Sequence, residues 1–198
     1  AAVVGLGTAF VVIRDMELPE TGTVFLYAVL GFAGHHLVVA HPSGQFISLN
    51  DPVTFSALWC FGPPLAIIAS VPASLLKFFT RRRGLLNCLF NAGQLTLSIV
   101  AAGAVPAVLG NLISAGGGAV EIIVIVLTIC MFDFVNNALV SLAMSIDQGQ
   151  PWRDMFLRIA FVDRKNSVVL WYFVNIAGIL LTSYMGKSGT LFVFFGVL

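Results

Sequence analysis

Charge is what this sequence has least of. Ten Lys and Arg and nine Asp and Glu make up 10% of 198 residues, against about 25% in soluble globular domains. The resulting net charge of +1 offers no basic footprint, so no nucleic-acid partner is expected. Cysteine is scarce too. Cys60, Cys88 and Cys130 all fall in apolar runs, which excludes a disulfide framework and reads as small-residue packing. The alternating ten-residue segments of an outer-membrane barrel are missing. So are a nucleophile elbow, a phosphate-binding loop, paired catalytic carboxylates and any Glu-x-x-His, His-x-x-x-His or Cys-x-x-Cys pattern. No enzymatic activity and no metal are expected, and no cofactor can be named. Internal repeats and low-complexity linkers are also lacking.

What remains is hydrophobicity. At 59% hydrophobic residues and a mean hydropathy of +0.99, the chain reads as all-α: a polytopic transmembrane helical bundle of six to seven helices, one domain over residues 1–198, with the lipid bilayer as its first partner. It begins Ala-Ala without Met and stops at Phe-Phe-Gly-Val-Leu in mid-span, so the expectation is a fragment of a longer protein.

The best-marked span is Val53–Leu76, 24 residues broken only by Thr54, Ser56, Ser70 and Ser74. That is long enough at 1.5 Å per residue to cross a core of about 30 Å. Gly62-Pro63-Pro64 predicts a kink within it. Before it, Ala1–Ile13 is apolar but short, either a truncated first helix or an interfacial one. A polar turn Arg14–Thr21 and a second span Gly22–Ala40 follow, then an uncharged loop His41–Asp51 in which Asn50-Asp51-Pro52 suits a helix start. After it come a fourth span at Leu85–Leu109, a Gly-rich turn at Asn111–Gly118 and a fifth span at Ala119–Ile146. Asp147–Asn166 reads as a short amphipathic helix in the cytoplasmic interface. Val168–Tyr184 is the sixth span, Met185–Gly189 a turn, and Thr190–Leu198 the opening of a seventh.

Orientation follows from the basic residues. Lys77, Arg81, Arg82 and Arg83 precede the fourth span, and Arg153, Arg158, Arg164 and Lys165 precede the sixth. Short positive loops stay cytoplasmic. Adding Arg14 puts nine basic residues inside against one outside, Lys187. This places residues 41–51 and 111–118 outside and whatever follows Leu198 in the cytoplasm.

Polar groups within the spans are the candidate site residues. Asn87, Asn91 and Gln94 share a face of the fourth span, and Asp133, Asn136 and Asn137 lie within about one turn of the fifth. A buried carboxylate costs about 2.5 to 3.5 kcal/mol on insertion scales, so the six residues are expected to meet in one buried polar cluster. It reads first as an interhelical clamp and second as a ligand or proton site. Glu121 belongs at the external interface. His35 and His36 point about 100° apart on a helix; they read first as hydrogen-bonded or interfacial, and second as axial ligands of a haem or pigment.

The run Ser48–Gly110, with FNAGQLTLSIVAAG at Phe90–Gly103, resembles the N-terminal multi-helix membrane domain of bacterial signalling proteins that end in an HD-type phosphohydrolase or GGDEF-type cyclase. FDFVNNALVSLAM at Phe132–Met144 followed by GQPWRDMF at Gly149–Phe156 resembles the same family's fifth span and cytoplasmic hook. Asn91, Gln94 and Asn136 match its pattern, whereas Asp133, His35-His36 and the Gly116–Gly118 turn have no place in it. The resemblance implies a non-catalytic sensory or anchoring domain in the bacterial inner membrane, with a cytoplasmic catalytic domain after Leu198. The order of a polar lead-in, an apolar span with Gly-Pro and a basic turn also resembles, more distantly, the substrate-binding membrane subunit of energy-coupling vitamin transporters. That would imply a small-molecule pocket opening outward. A third reading is an accessory subunit packed against other membrane subunits or its own copies.

Overall fold

Two glycines decide where this chain doubles back. A computed structural model describes residues 2–15, 18–40, 46–48, 50–81, 84–162 and 168–185. Its helices are α1 (Ala2–Asp15), α2 (Thr21–His36), α3 (Asn50–Phe61), α4 (Pro63–Arg81), α5 (Leu85–Gln148), α6 (Trp152–Leu157), a five-residue π-helix (Arg158–Val162) and α7 (Val168–Met185). The protein is therefore helical, apart from a small antiparallel hairpin of β1 (Val38–Ala40) and β2 (Phe46–Ser48) that pairs Val38 with Ser48 and Ala40 with Phe46.

The first glycine is Gly62, at φ 81, a backbone region L-residues avoid. Pro63 then opens α4, where a missing N–H costs nothing. Across this break the hydroxyls of Thr54 and Ser70 hydrogen-bond. In one continuous helix sixteen residues would be about 24 Å long, so α3 and α4 lie antiparallel. Thr54 already donates to the Asn50 carbonyl (2.8 Å), which leaves Ser70 as the donor between helices. The expected single span Val53–Leu76 is thus corrected to a helical hairpin. What reads as a kink is a full reversal, because a positive-φ glycine precedes two prolines that cannot donate to the α3 carbonyls.

The second is Gly117, at φ 66 and ψ −166, where essentially only glycine is found. It divides α5 into two limbs that return on each other, as shown by Gln94 donating to Asn136 over 42 residues. The expected turn at Asn111–Gly118 shrinks to this one residue, since 111–116 remain helical.

Pair contacts fix the other directions. Tyr27 meets Phe61 edge-on at 5.6 Å between ring centroids, and Gly31 packs against the Ala69 backbone with no room for a Cβ, so α2 runs parallel to α4. Trp171 donates to Asp51 (2.8 Å) and Ser56 to the Gly178 carbonyl (3.3 Å), so α7 runs parallel to α3. Hence the C-terminal ends of α2 and α4 and the N-terminal ends of α3 and α7 gather at one end of the bundle.

This corrects two further expectations. Residues 50–51 lie at the same end as the basic C-terminus of α4, not opposite it. The second apolar run stops being helical at His36, not Ala40, since β1 takes over. The start of α2, and with it the turn following Arg14, lies at the other end. The expected short helix within Asp147–Asn166 is present as α6. α6 and the π-helix turn back along α5, with Trp152 donating to the Ala138 carbonyl (3.1 Å) and Phe156 meeting Phe134 edge-on at 5.7 Å. The Met185–Gly189 turn after its first residue, the seventh span and Arg82, Arg83, Arg164, Lys165 and Lys187 lie outside the described residues.

The core is seamed with hydroxyls. Thr54, Ser56, Ser70, Thr96, Ser98, Thr128, Ser141 and Thr182 are all buried, among Leu65, Ile67, Ile99, Ile125, Ile129 and Ile179. Most bond the carbonyl four residues earlier, as Thr96 does to Ala92 (2.9 Å) and Thr128 to Val124 (2.8 Å), which satisfies them within their own helices. Two segments, Leu85–Ile113 and Ala115–Gln148, are long and apolar enough to cross a membrane; Ala2–Arg14, Pro63–Leu76 and Val169–Met185 are apolar but shorter.

Candidate functional site

The expected polar cluster divides into two. Gln94, 7% exposed, sits between the limbs of α5 and donates its amide to Asn136 Oδ1. Asp133 and Asn137, one turn apart, instead line a cavity of about 330 Å3 on the other flank of the second limb. The helix explains the separation. Residues 133 and 137 differ by about 40° around the axis, whereas 136 and 137 differ by about 100°, so neighbours in sequence address different partners. Asn91 is half-buried and Asn87 exposed. Asn87 borders a second, more open groove of about 780 Å3 with Leu86, Phe90, Leu142, Ile146 and Asp147, where the two ends of α5 meet.

The 330 Å3 cavity takes Cys130, Asp133, Phe134 and Asn137 from α5, Phe156 from α6, Ala160 and Phe161 from the π-helix and Tyr172 from α7. Trp152 stacks at 5.4 Å on Phe156 from behind, and the Tyr172 hydroxyl reaches Cys130 Sγ at 3.6 Å. A π-helix inserts an extra residue per turn, a distortion frequent at functional sites; here it closes one wall of the cavity.

His35 and His36 occupy the last turn of α2, their rings nearly perpendicular at 6.2 Å, with His36 against Phe32 at 4.7 Å. Among the described residues no group of three His, Cys, Asp or Glu could hold a metal ion. Lys77 and Arg81 end α4, while Arg153 and Arg158 lie on α6 and the π-helix.

Sequence reasoning missed a second polar seam between α3 and α7. Trp171 Nε1 donates to Asp51 Oδ2, Ser56 and Thr182 lie 3.1 Å apart over the Gly178 carbonyl, and Asn175 Nδ2 bonds the Trp171 carbonyl at 2.7 Å. Asn175, 1% exposed, was the available signal, an amide in the middle of an apolar run. Asp51 gave none, because next to Pro52 it has the look of an ordinary helix start.

Compared with models of known families, with curated proteins and with solved structures, the chain matches none.

Proposed function

We propose that this chain is a multi-pass membrane domain of the sensory or anchoring kind, held in the bacterial cytoplasmic membrane with its basic end inward, and that it carries out no reaction itself. The observation that supports this is an inverted surface. Val3 (87% exposed), Val169 (80%), Val108 (76%), Phe25 (71%) and Phe173 (67%) face outward from several helical segments, while hydroxyls and amides are buried among the apolar side chains of the interior. Water-soluble monomers rarely expose contiguous apolar patches beyond a few hundred Å2, and in lipid the polar groups must turn inward to one another.

The positive-inside rule then orients the bundle. Lys77, Arg81, Arg153 and Arg158 belong to one end and Arg14 to the turn into α2 at the other, so the end with β1, β2 and the start of α3 is cytoplasmic. In this reading the α3–α4 hairpin rises from the cytoplasmic side and returns. The sensory or anchoring role draws on the resemblance at Phe90–Gly103 and Phe132–Phe156, whose Gln94 and Asn136 are the pair that joins the limbs of α5. A second reading, a small-molecule-binding membrane subunit, is supported by the 330 Å3 cavity.

Expressed in a bacterial host, the chain should sediment with membranes and stay there through alkaline carbonate washing. Release into the supernatant as a monodisperse protein would overturn the proposal.

A further inference from the structure

We propose that the cavity beneath the π-helix is a binding site for a small uncharged aromatic molecule that carries one hydrogen-bond donor. The inference goes beyond the membrane reading and stands on the cavity alone.

Four of the lining side chains are aromatic, Phe134, Phe156, Phe161 and Tyr172. They come from four separate segments, so they line a half-open pocket from several sides rather than stack along one helix. Aromatic rings favour edge-to-face and offset contacts with another ring, which makes a planar ligand the best filler. Volume sets its size. A cavity of about 150 Å3 is known to admit benzene, and this one holds about 330 Å3, room for a fused two-ring system.

Polarity sets the rest. Asn137 is only 4% exposed and lines the cavity, so its side-chain amide is at hand for a ligand placed there. An amide oxygen accepts hydrogen bonds, so a ligand donor directed at Asn137 Oδ1 would fix the ligand's orientation in the cavity. Asp133, one turn earlier on the same wall, adds acceptor capacity. A carboxylate offers about four lone-pair sites, so a ligand N–H can join whatever contacts Asp133 already makes. Access is direct, because Phe134 is 56% and Phe161 64% exposed at the rim.

The test uses the whole chain purified in detergent and two probes of one shape, indole, which has an N–H, and benzofuran, which has an ether oxygen there. Titration calorimetry should show saturable binding of indole at one site per chain and of benzofuran about tenfold weaker. Asn137→Leu should bring indole down to the benzofuran level. Ala160→Phe, which fills the cavity from the π-helix, should abolish saturable uptake of both and so provide the blank for partition into micelles. Should Ala160→Phe fail to elute as a monodisperse helical protein, Phe161→Trp fills the same space from the rim. Equal binding of the two probes, an indole preference that survives Asn137→Leu, uptake unchanged by the filling variant, or no saturable binding at all would each overturn the proposal.

Discussion

Trp171 donates its indole N–H to Asp51 Oδ2 at 2.8 Å, and this one bond ties the first turn of α7 to the first turn of α3. The same indole packs edge-on against Phe55 at 5.9 Å, which in turn packs on Phe132 at 4.9 Å. Polar and aromatic contacts therefore set the register of three segments at one level. Trp171→Phe keeps most of the ring and removes the donor. A hydrogen bond to a charged acceptor is worth about 1.5 to 3 kcal/mol, and the variant should lose stability in that range when unfolding is followed by steric trapping in bicelles. Asp51→Asn, which keeps an acceptor, should lose less. Equal stability of Trp171→Phe and the parent would show that the bond does not hold the two helices.

The two reversals differ in how strictly they need glycine. A Cβ added at Gly62, where φ is 81, would meet only a Pro64 side-chain carbon at 3.7 Å, and one added at Gly117 would meet nothing within 4 Å, so alanine brings strain at both and a clash at neither. A left-handed residue costs about 1 to 2 kcal/mol, while the φ 66, ψ −166 region of Gly117 is nearly closed to other residues, with strain of order 1 to 3 kcal/mol. Gly117→Ala should therefore destabilise more than Gly62→Ala in the same unfolding assay. The reverse order would mean that the α5 turn is not held in that conformation.

Gln94 and Asn136 make a test of pairing across the limbs of α5. Interhelical hydrogen bonds in membranes average about 0.6 kcal/mol with a maximum near 1.7, so Gln94→Leu or Asn136→Leu alone should cost that much, since each leaves an unpartnered amide. The double variant should cost less than the sum. A strictly additive double-mutant cycle would contradict the pairing.

Much of the fold was legible where the sequence carries a local cause. Asn50-Asp51-Pro52 predicted the start of α3, Gly149 follows the last residue of α5, and Gln94 meets Asn136 across the two limbs. The α3–α4 reversal was not legible. Gly-Pro-Pro within an apolar run specifies a break but not its angle, and length alone made 24 residues look like one crossing. Because every preceding direction was counted back from that span, one misread break moved residues 50–51 and the start of α2 to the wrong ends. The division of the polar cluster was legible in principle. The 100° step from Asn136 to Asn137 is in the sequence, but choosing which residue faces the other limb requires the position of α7, which depends on the α3–α4 reversal.

Which end of the bundle faces the cytoplasm can be measured directly. On a background with Cys60, Cys88 and Cys130 replaced by alanine, single cysteines at Leu37, which is 37% exposed beside β1, and at Gly118, exposed next to the α5 turn, can be offered a membrane-impermeant maleimide in intact cells. The structure combined with the positive-inside rule predicts that Gly118→Cys labels at once and Leu37→Cys only after the membrane is permeabilised. Labelling of Leu37→Cys in intact cells, with Gly118→Cys protected or equally reactive, would contradict the inverted bundle and its α3–α4 hairpin together.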